Sequence, residues 1–144
     1  MNDPFKLSRF VDAQRPVYSR VLEELRAGRK TSHWMWFVFP QVRGLGRSEM
    51  AEHYALSNEA EARAYLEHRL LGPRLKECVQ TLLMHHDRSA LEILGSPDDL
   101  KLRSCLTVFI AVAPEAPVFQ QALDRFYSGQ ADGRTLALLQ GDPR

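Results

Sequence analysis

Apolar residues recur along this chain at three- and four-residue intervals, and proline, glycine or a short polar cap separates one run from the next. That spacing predicts amphipathic helices. Asp3-Pro4 reads as a cap and first-turn pair, opening a short helix with Leu7, Phe10 and Val11 on its inner face. Pro16 leads a second helix carrying Val17, Val21, Leu22 and Leu25, which Gly28 closes. Arg26, Arg29 and Lys30 lie at its carbonyl end, where cations are favoured. The stretch Ser32–Pro40 is apolar on every face, so periodicity alone does not separate helix from strand. Ser32 as a cap and Pro40 as a stop fit one or two helical turns, and no partner strand is evident.

Beyond a glycine-bearing loop from Gln41 to Arg47, Ser48 caps a helix with Met50, Ala51, Tyr54 and Ala55. Asn58 and Glu61 form a capping-box pattern ahead of Ala62, Tyr65 and Leu66. Gly72-Pro73 predicts a break and a restart, with Leu75, Cys78, Val79, Leu82 and Leu83 on one face. A short helix spans Ser89 to Gly95. Ser96-Pro97-Asp98-Asp99 then reads as cap, first-turn proline and two acids at the positive helix end. The helix it opens runs through Leu102, Cys105, Leu106, Phe109 and Ile110. Its later half is nearly all apolar, which predicts a central position. Pro114 and Pro117 interrupt it, a further helix presents Phe119, Ala122, Leu123 and Phe126, and a last one comes after Asp132. The expectation is an all-α, compact, multihelical single domain spanning residues 1–144, with seven to eight helices.

Composition narrows the function classes. A chain of 144 residues holds one core. Its 19 basic and 18 acidic residues leave a net charge of +1, which argues against a general nucleic-acid binder. Such a role would need Arg43, Arg47, Arg63 and Arg74 on one face. Cys78 and Cys105 sit among apolar helical neighbours and read as buried, reduced thiols. No apolar run is long enough to span a membrane, and Met-Asn-Asp-Pro-Phe-Lys does not resemble a secretory leader, so the expected location is the cytoplasm. His85-His86-Asp87 lacks a second ligand cluster; no metal and no cofactor is expected.

Candidate chemistry concentrates between Lys30 and Ser48. Gly44 and Gly46 let the backbone take positive φ and approach a ligand closely. The helix at Ser48 turns its free N–H groups toward that loop, and Arg43 and Arg47 offer guanidinium groups suited to phosphate. Trp34 and Trp36 could stack on a flat ring or serve as core, and Gln41 adds a polar contact. His33 is a candidate general acid or base, or alternatively a histidine packed on Trp36. Asp98 and Lys101 would be its titratable partners if the helix start at Ser96 faces the loop. Asp99 and Arg103 have the spacing of a surface ion pair.

The run from Lys30 to Ser48, Lys-Thr-Ser-His-Trp-Met-Trp-Phe-Val-Phe-Pro-Gln-Val-Arg-Gly-Leu-Gly-Arg-Ser, resembles the first motif of a bacterial family catalogued as domain of unknown function 1810. Some members carry the label calpastatin, which nothing in this chain supports. His53-Tyr54-Ala55-Leu56, Glu59-Ala60 to Tyr65-Leu66, Leu71-Gly72-Pro73-Arg74-Leu75 and Ser96 to Leu102, leading to Thr107-Val108-Phe109, extend the likeness over nearly the whole chain. Val108 stands where the family pattern has leucine, a conservative change. The resemblance implies a multihelical domain and no established activity. It marks His33, Trp34, Trp36, Pro40, Gln41, Gly44, Gly46 and Ser48 in the first motif, and Asp98, Lys101 and Thr107 in the later one.

The leading expectation is a site that binds, and in its stronger form hydrolyses, a phosphate-bearing nucleotide derivative of the NAD or ADP-ribose type. Its catalytic candidates are His33, Asp98 and Lys101; its ligand contacts are Trp34, Trp36, Gln41, Arg43, Gly44, Gly46 and Ser48. A noncatalytic protein-binding or regulatory module is the alternative.

Overall fold

A computed structural model describes residues 2–140. Ten helices occur among them: α1 (Ser8–Gln14), α2 (Tyr18–Ala27), α3 (Met35–Val38), α4 (Glu49–His53), α5 (Glu59–Glu67), α6 (Leu71–Leu83), α7 (Ala90–Leu94), α8 (Asp98–Val112), α9 (Pro117–Tyr127) and α10 (Gly133–Leu139). Seven have seven residues or more, and the other three, α3, α4 and α7, are short helices at runs whose sequence also reads as helical. None is long and apolar enough to cross a membrane.

The apolar character of α8 decides the architecture. From Leu102 to Phe109 it buries every side chain except that of Arg103, and helices α5, α7, α9 and α10 pack around it. A helix that is apolar on nearly every side has to be wrapped. On the far side α6 packs against α2, α5 and α9, and α1 lies on α3. Phe10, Trp34, Phe39, Tyr65, Phe109 and Phe119 are the large buried rings of the single core. Each such side chain contributes on the order of 2–3 kcal/mol by leaving water.

Local signals act much as their chemistry dictates, with instructive displacements. Gly28 ends α2 at φ +75°, with its N–H on the Leu25 and Glu24 carbonyls. Asp3 does cap the first helix, but from further back: its carboxylate accepts from Leu7 N at 2.8 Å and Ser8 N at 3.1 Å across a turn. Asn58 accepts from Glu61 N at 2.9 Å, as a cap should. Glu61 does not reciprocate on Asn58; it takes Ser57 N and Oγ at 2.8 Å and the Arg9 guanidinium. The expected break at Gly72-Pro73 is instead the first turn of α6, where proline needs no N–H. A Cβ on Gly72 would stand 1.9 Å from the Leu66 carbonyl oxygen, so the glycine serves a close approach of α5 and α6. Likewise Ser96 is not the cap of α8. Pro97 occupies that position after a cis Ser96–Pro97 peptide, and Asp98 and Asp99 still fill the first turn.

Candidate functional site

The Lys30–Ser48 segment begins at a buried carboxylate. Glu24, on the inner face of α2, accepts from Thr31 N and Oγ1 at 3.0 Å, Ser32 N at 3.2 Å, Ser32 Oγ at 2.6 Å and Trp34 Nε1 at 2.9 Å. Burial alone would raise its pKa, but these donors outweigh it, Ser32 and Thr31 foremost, and pull the carboxyl down to about 2. Ser32 is therefore a ligand of Glu24 rather than the cap of α3. Trp34 is 1 % exposed, so its ring has no face for a ligand; it belongs to the core.

Two further anchors shape the chain between Phe37 and Leu56. Gln14 donates to the Phe37 carbonyl at 2.7 Å and holds the single turn of α3. A parallel bridge then joins Val42 to Leu56, with Leu56 N on the Gln41 carbonyl and Arg43 N on the Leu56 carbonyl, both at 2.8 Å. Residues 43–55 thus leave and return at one point as a closed excursion. Gly44 takes φ +108°, a conformation that needs glycine, and a Cβ on Gly46 would lie 2.5 Å from the Ala51 Cβ. Ser48 Oγ accepts from Ala51 N at 3.1 Å, a cap for a helix of one turn with no buried residue.

The start of α8 meets this segment. Lys30 Nζ lies 2.9 Å from Asp98 Oδ2 and 5.1 Å from the Trp34 ring centre. Lys101 Nζ lies 3.6 Å from Asp98 Oδ1 and 5.8 Å from the Trp36 ring centre. Lys101 borders two concavities at once. The inner one is a narrow cleft among Trp36, Gln41, Arg43, Gly44, Gly46 and Tyr54, with about 20 Å³ of accessible space, room for about one water. The outer one is an open groove of about 310 Å³ bounded by Gln41, Gly46, Leu100, Lys101, Ser104 and Arg134. Its size reaches the lower end of small-ligand sites.

The far wall of the groove is built from α8. Arg103 donates to the Gln130 carbonyl at 2.7 Å and to the Ala131 carbonyl at 3.1 Å, and Thr107 Oγ1 accepts from Asp132 N at 2.9 Å. These bonds pin the lead into α10, whose cap Asp132 holds Thr135 N at 3.0 Å. Arg134 comes to the groove edge as a result. Arg103 is committed to those carbonyls and does not pair with Asp99, contrary to its spacing. Asp99 Oδ1 is instead buried without a partner among the described residues.

The sequence candidates separate accordingly. Gln41, Gly46 and Lys101 line both concavities, while Trp36, Arg43 and Gly44 line the inner one. Asp98 stands behind Lys101 between two lysines. His33 is exposed and borders neither concavity, and Asp98 and Lys101 are not its partners. Arg47 is exposed and borders neither. Of the arginines a nucleic-acid face would need, Arg63 is bound to the Val112 carbonyl and Arg74 lies over Tyr18. The residues that sequence reasoning missed are Leu45, Pro97, Leu100, Asp132 and Arg134. Pro97, Leu100, Lys101 and Ser104 share one helical face, a signal that was readable. Arg134 carries no such signal, because only the packing of α10 on α8 brings it there.

The family described as a protein of unknown function, DUF1810, matches residues 4–139. The chain belongs to that family. In overall structure it is similar to the conserved hypothetical protein Rv1873 from Mycobacterium tuberculosis, known from a crystal structure. The two are 55% identical and superpose with a TM-score of 0.94, over 96% of this chain and 99% of that one. A search of curated proteins finds no significant match.

Proposed function

We propose that this member of DUF1810 binds a small phosphate-bearing molecule, a nucleotide derivative of the NAD or ADP-ribose type, in the groove between the Gln41–Gly46 loop and α8. The observation that carries this reading is the position of Lys101, which borders both the groove and the inner cleft beside Trp36. Arg134 supplies a second cation at the groove edge, and Gln41 a neutral donor and acceptor. Lys and Arg around an open concavity favour phosphate over a neutral ligand. The reading covers binding and not hydrolysis. Of the acids beside Lys101 and Arg134, Asp98 is held by two lysines and Asp132 by Thr135. The proposed location is the cytoplasm, which the two buried free thiols favour.

Thermal-shift measurements with AMP, NAD and ADP-ribose at millimolar concentration test it directly. A rise in Tm that disappears in Lys101→Ala and weakens in Arg134→Ala supports the site; flat melting curves across the panel overturn it. One observation favours the alternative of a protein-binding module: Leu100, on the groove rim, is 57 % exposed. Under that reading Gln41→Ala and Arg43→Ala keep all cellular function, and its loss at unchanged stability removes the alternative.

A further inference from the structure

We propose that Lys30 is a positioning residue for the groove: by holding Asp98 it leaves the Lys101 ammonium available to an anionic ligand. This rests on the reading of the groove as an anion site. Asp98 is one carboxylate between two lysines, and the two contacts are unequal. Lys30 approaches to 2.9 Å with a side chain 7 % exposed; Lys101 stays at 3.6 Å with a side chain 29 % exposed. An ammonium as buried as Lys30 needs a counter-ion, because desolvated charge left unpaired is costly. Its place is also fixed from two other directions, by the Trp34 ring and by its own backbone N–H on the Ile93 carbonyl at 2.7 Å. Lys30 therefore has first claim on Asp98.

Lys101 has no such confinement. It is three residues beyond Asp98 on the same helix, a spacing at which lysine and carboxylate readily pair. With Lys30 present, the three groups sum to one positive charge, and Lys101 carries it on the groove side. Without Lys30, Asp98 is left with Lys101 as its neutralising partner; the sum falls to zero and the ammonium is drawn back along its own helix. The first motif thus acts on the ligand through the second, and Lys30 touches no ligand itself.

Amine acylation by an N-hydroxysuccinimide ester on the full chain, read at Lys101 by mass spectrometry, tracks the sharing without any ligand. In Lys30→Met the labelling rate of Lys101 should fall about two- to fivefold, the weight of a partly exposed lysine–carboxylate pair. Lys30→Arg should keep the wild-type rate, and Asp98→Asn should raise it. Calorimetry with ADP-ribose should show a similar loss of affinity in Lys30→Met and recovery in Lys30→Met/Asp98→Asn. An unchanged Lys101 rate in folded Lys30→Met overturns the proposal. If that variant does not fold, an unchanged rate in Asp98→Asn overturns it. Failure of the wild-type chain to bind any of AMP, NAD and ADP-ribose overturns the anion-site reading and the positioning role with it, while the labelling ratio still reports whether Asp98 is shared.

Discussion

The indole N–H of Trp34 donates to the carboxylate of Glu24 at 2.9 Å, and both side chains are buried. This bond turns the most conspicuous aromatic of the first motif inward. It also gives the segment a defined electrostatic weak point, since the carboxylate has to stay ionised to accept all its donors.

Acid should expose that weakness. Glu24 titrates at about 2 in the folded chain, below its ordinary value of 4.5. A depressed pKa means that the unfolded chain takes up the proton first as pH falls. The stabilisation is complete above the unfolded value and is lost as pH falls from about 4.5 toward about 2. Its size is about 3 kcal/mol. Urea unfolding at pH 7 and at low pH should show that loss, and Glu24→Gln should lower stability at pH 7 and flatten the acid dependence.

Trp34→Phe distinguishes core from ligand contact. The ring loses volume and its donor, leaving Glu24 one partner short. The expected cost is about 2–4 kcal/mol in chemical denaturation. ADP-ribose affinity measured well below the melting range should not change; a selective loss of affinity would return Trp34 to the binding face.

Gly46 answers to Ala51. A Cβ at Gly46 would meet the Ala51 Cβ at 2.5 Å, so Gly46→Ala forces α4 away from the loop at a cost of about 1–3 kcal/mol. Ala51→Gly in that background should recover about half, the remainder being the lower helix propensity of glycine. No recovery in the double variant would mean that Gly46 is required for a reason other than this contact.

The two thiols should be inert while the chain is folded. Burial pushes Cys78 up to about 12 and Cys105 well above the ordinary thiol range. Ellman's reagent at pH 8 should find no reactive thiol in the native protein and two after denaturation. Rapid native labelling of either would contradict the packing around α6 and α8.

How much of the fold was legible in the sequence depended on the range of the interaction. Helix positions came from local chemistry: the glycine at the end of α2, the acids at the head of α8, the apolar run that puts α8 at the centre. Even there, a competing partner could displace a local rule. Ser32 did not take its expected capping role: α3 begins at Met35 with Trp34 at the cap position, and the Ser32 hydroxyl is held on the buried Glu24. Arg103 left Asp99 for two backbone carbonyls.

The chemistry between Lys30 and Ser48 was legible as residue types, since glycines, arginines and aromatics declare what they can do. Which of them do it was not legible. Trp34 and Trp36 are two residues apart in a segment apolar on all sides, and the single turn of α3 sends one into the core and the other to the cleft. By itself the sequence determined an all-helical chain, its core-bearing helices and the residues from which a site could be drawn, because helix propensity, capping and amphipathicity act over a few residues. Tertiary structure alone decided that Lys30, Asp98 and Lys101 meet, that His33 stands apart, and that Arg134 reaches the groove. Those outcomes depend on how α3, α8 and α10 pack, and packing is set by side-chain volumes and buried partners far apart in the chain.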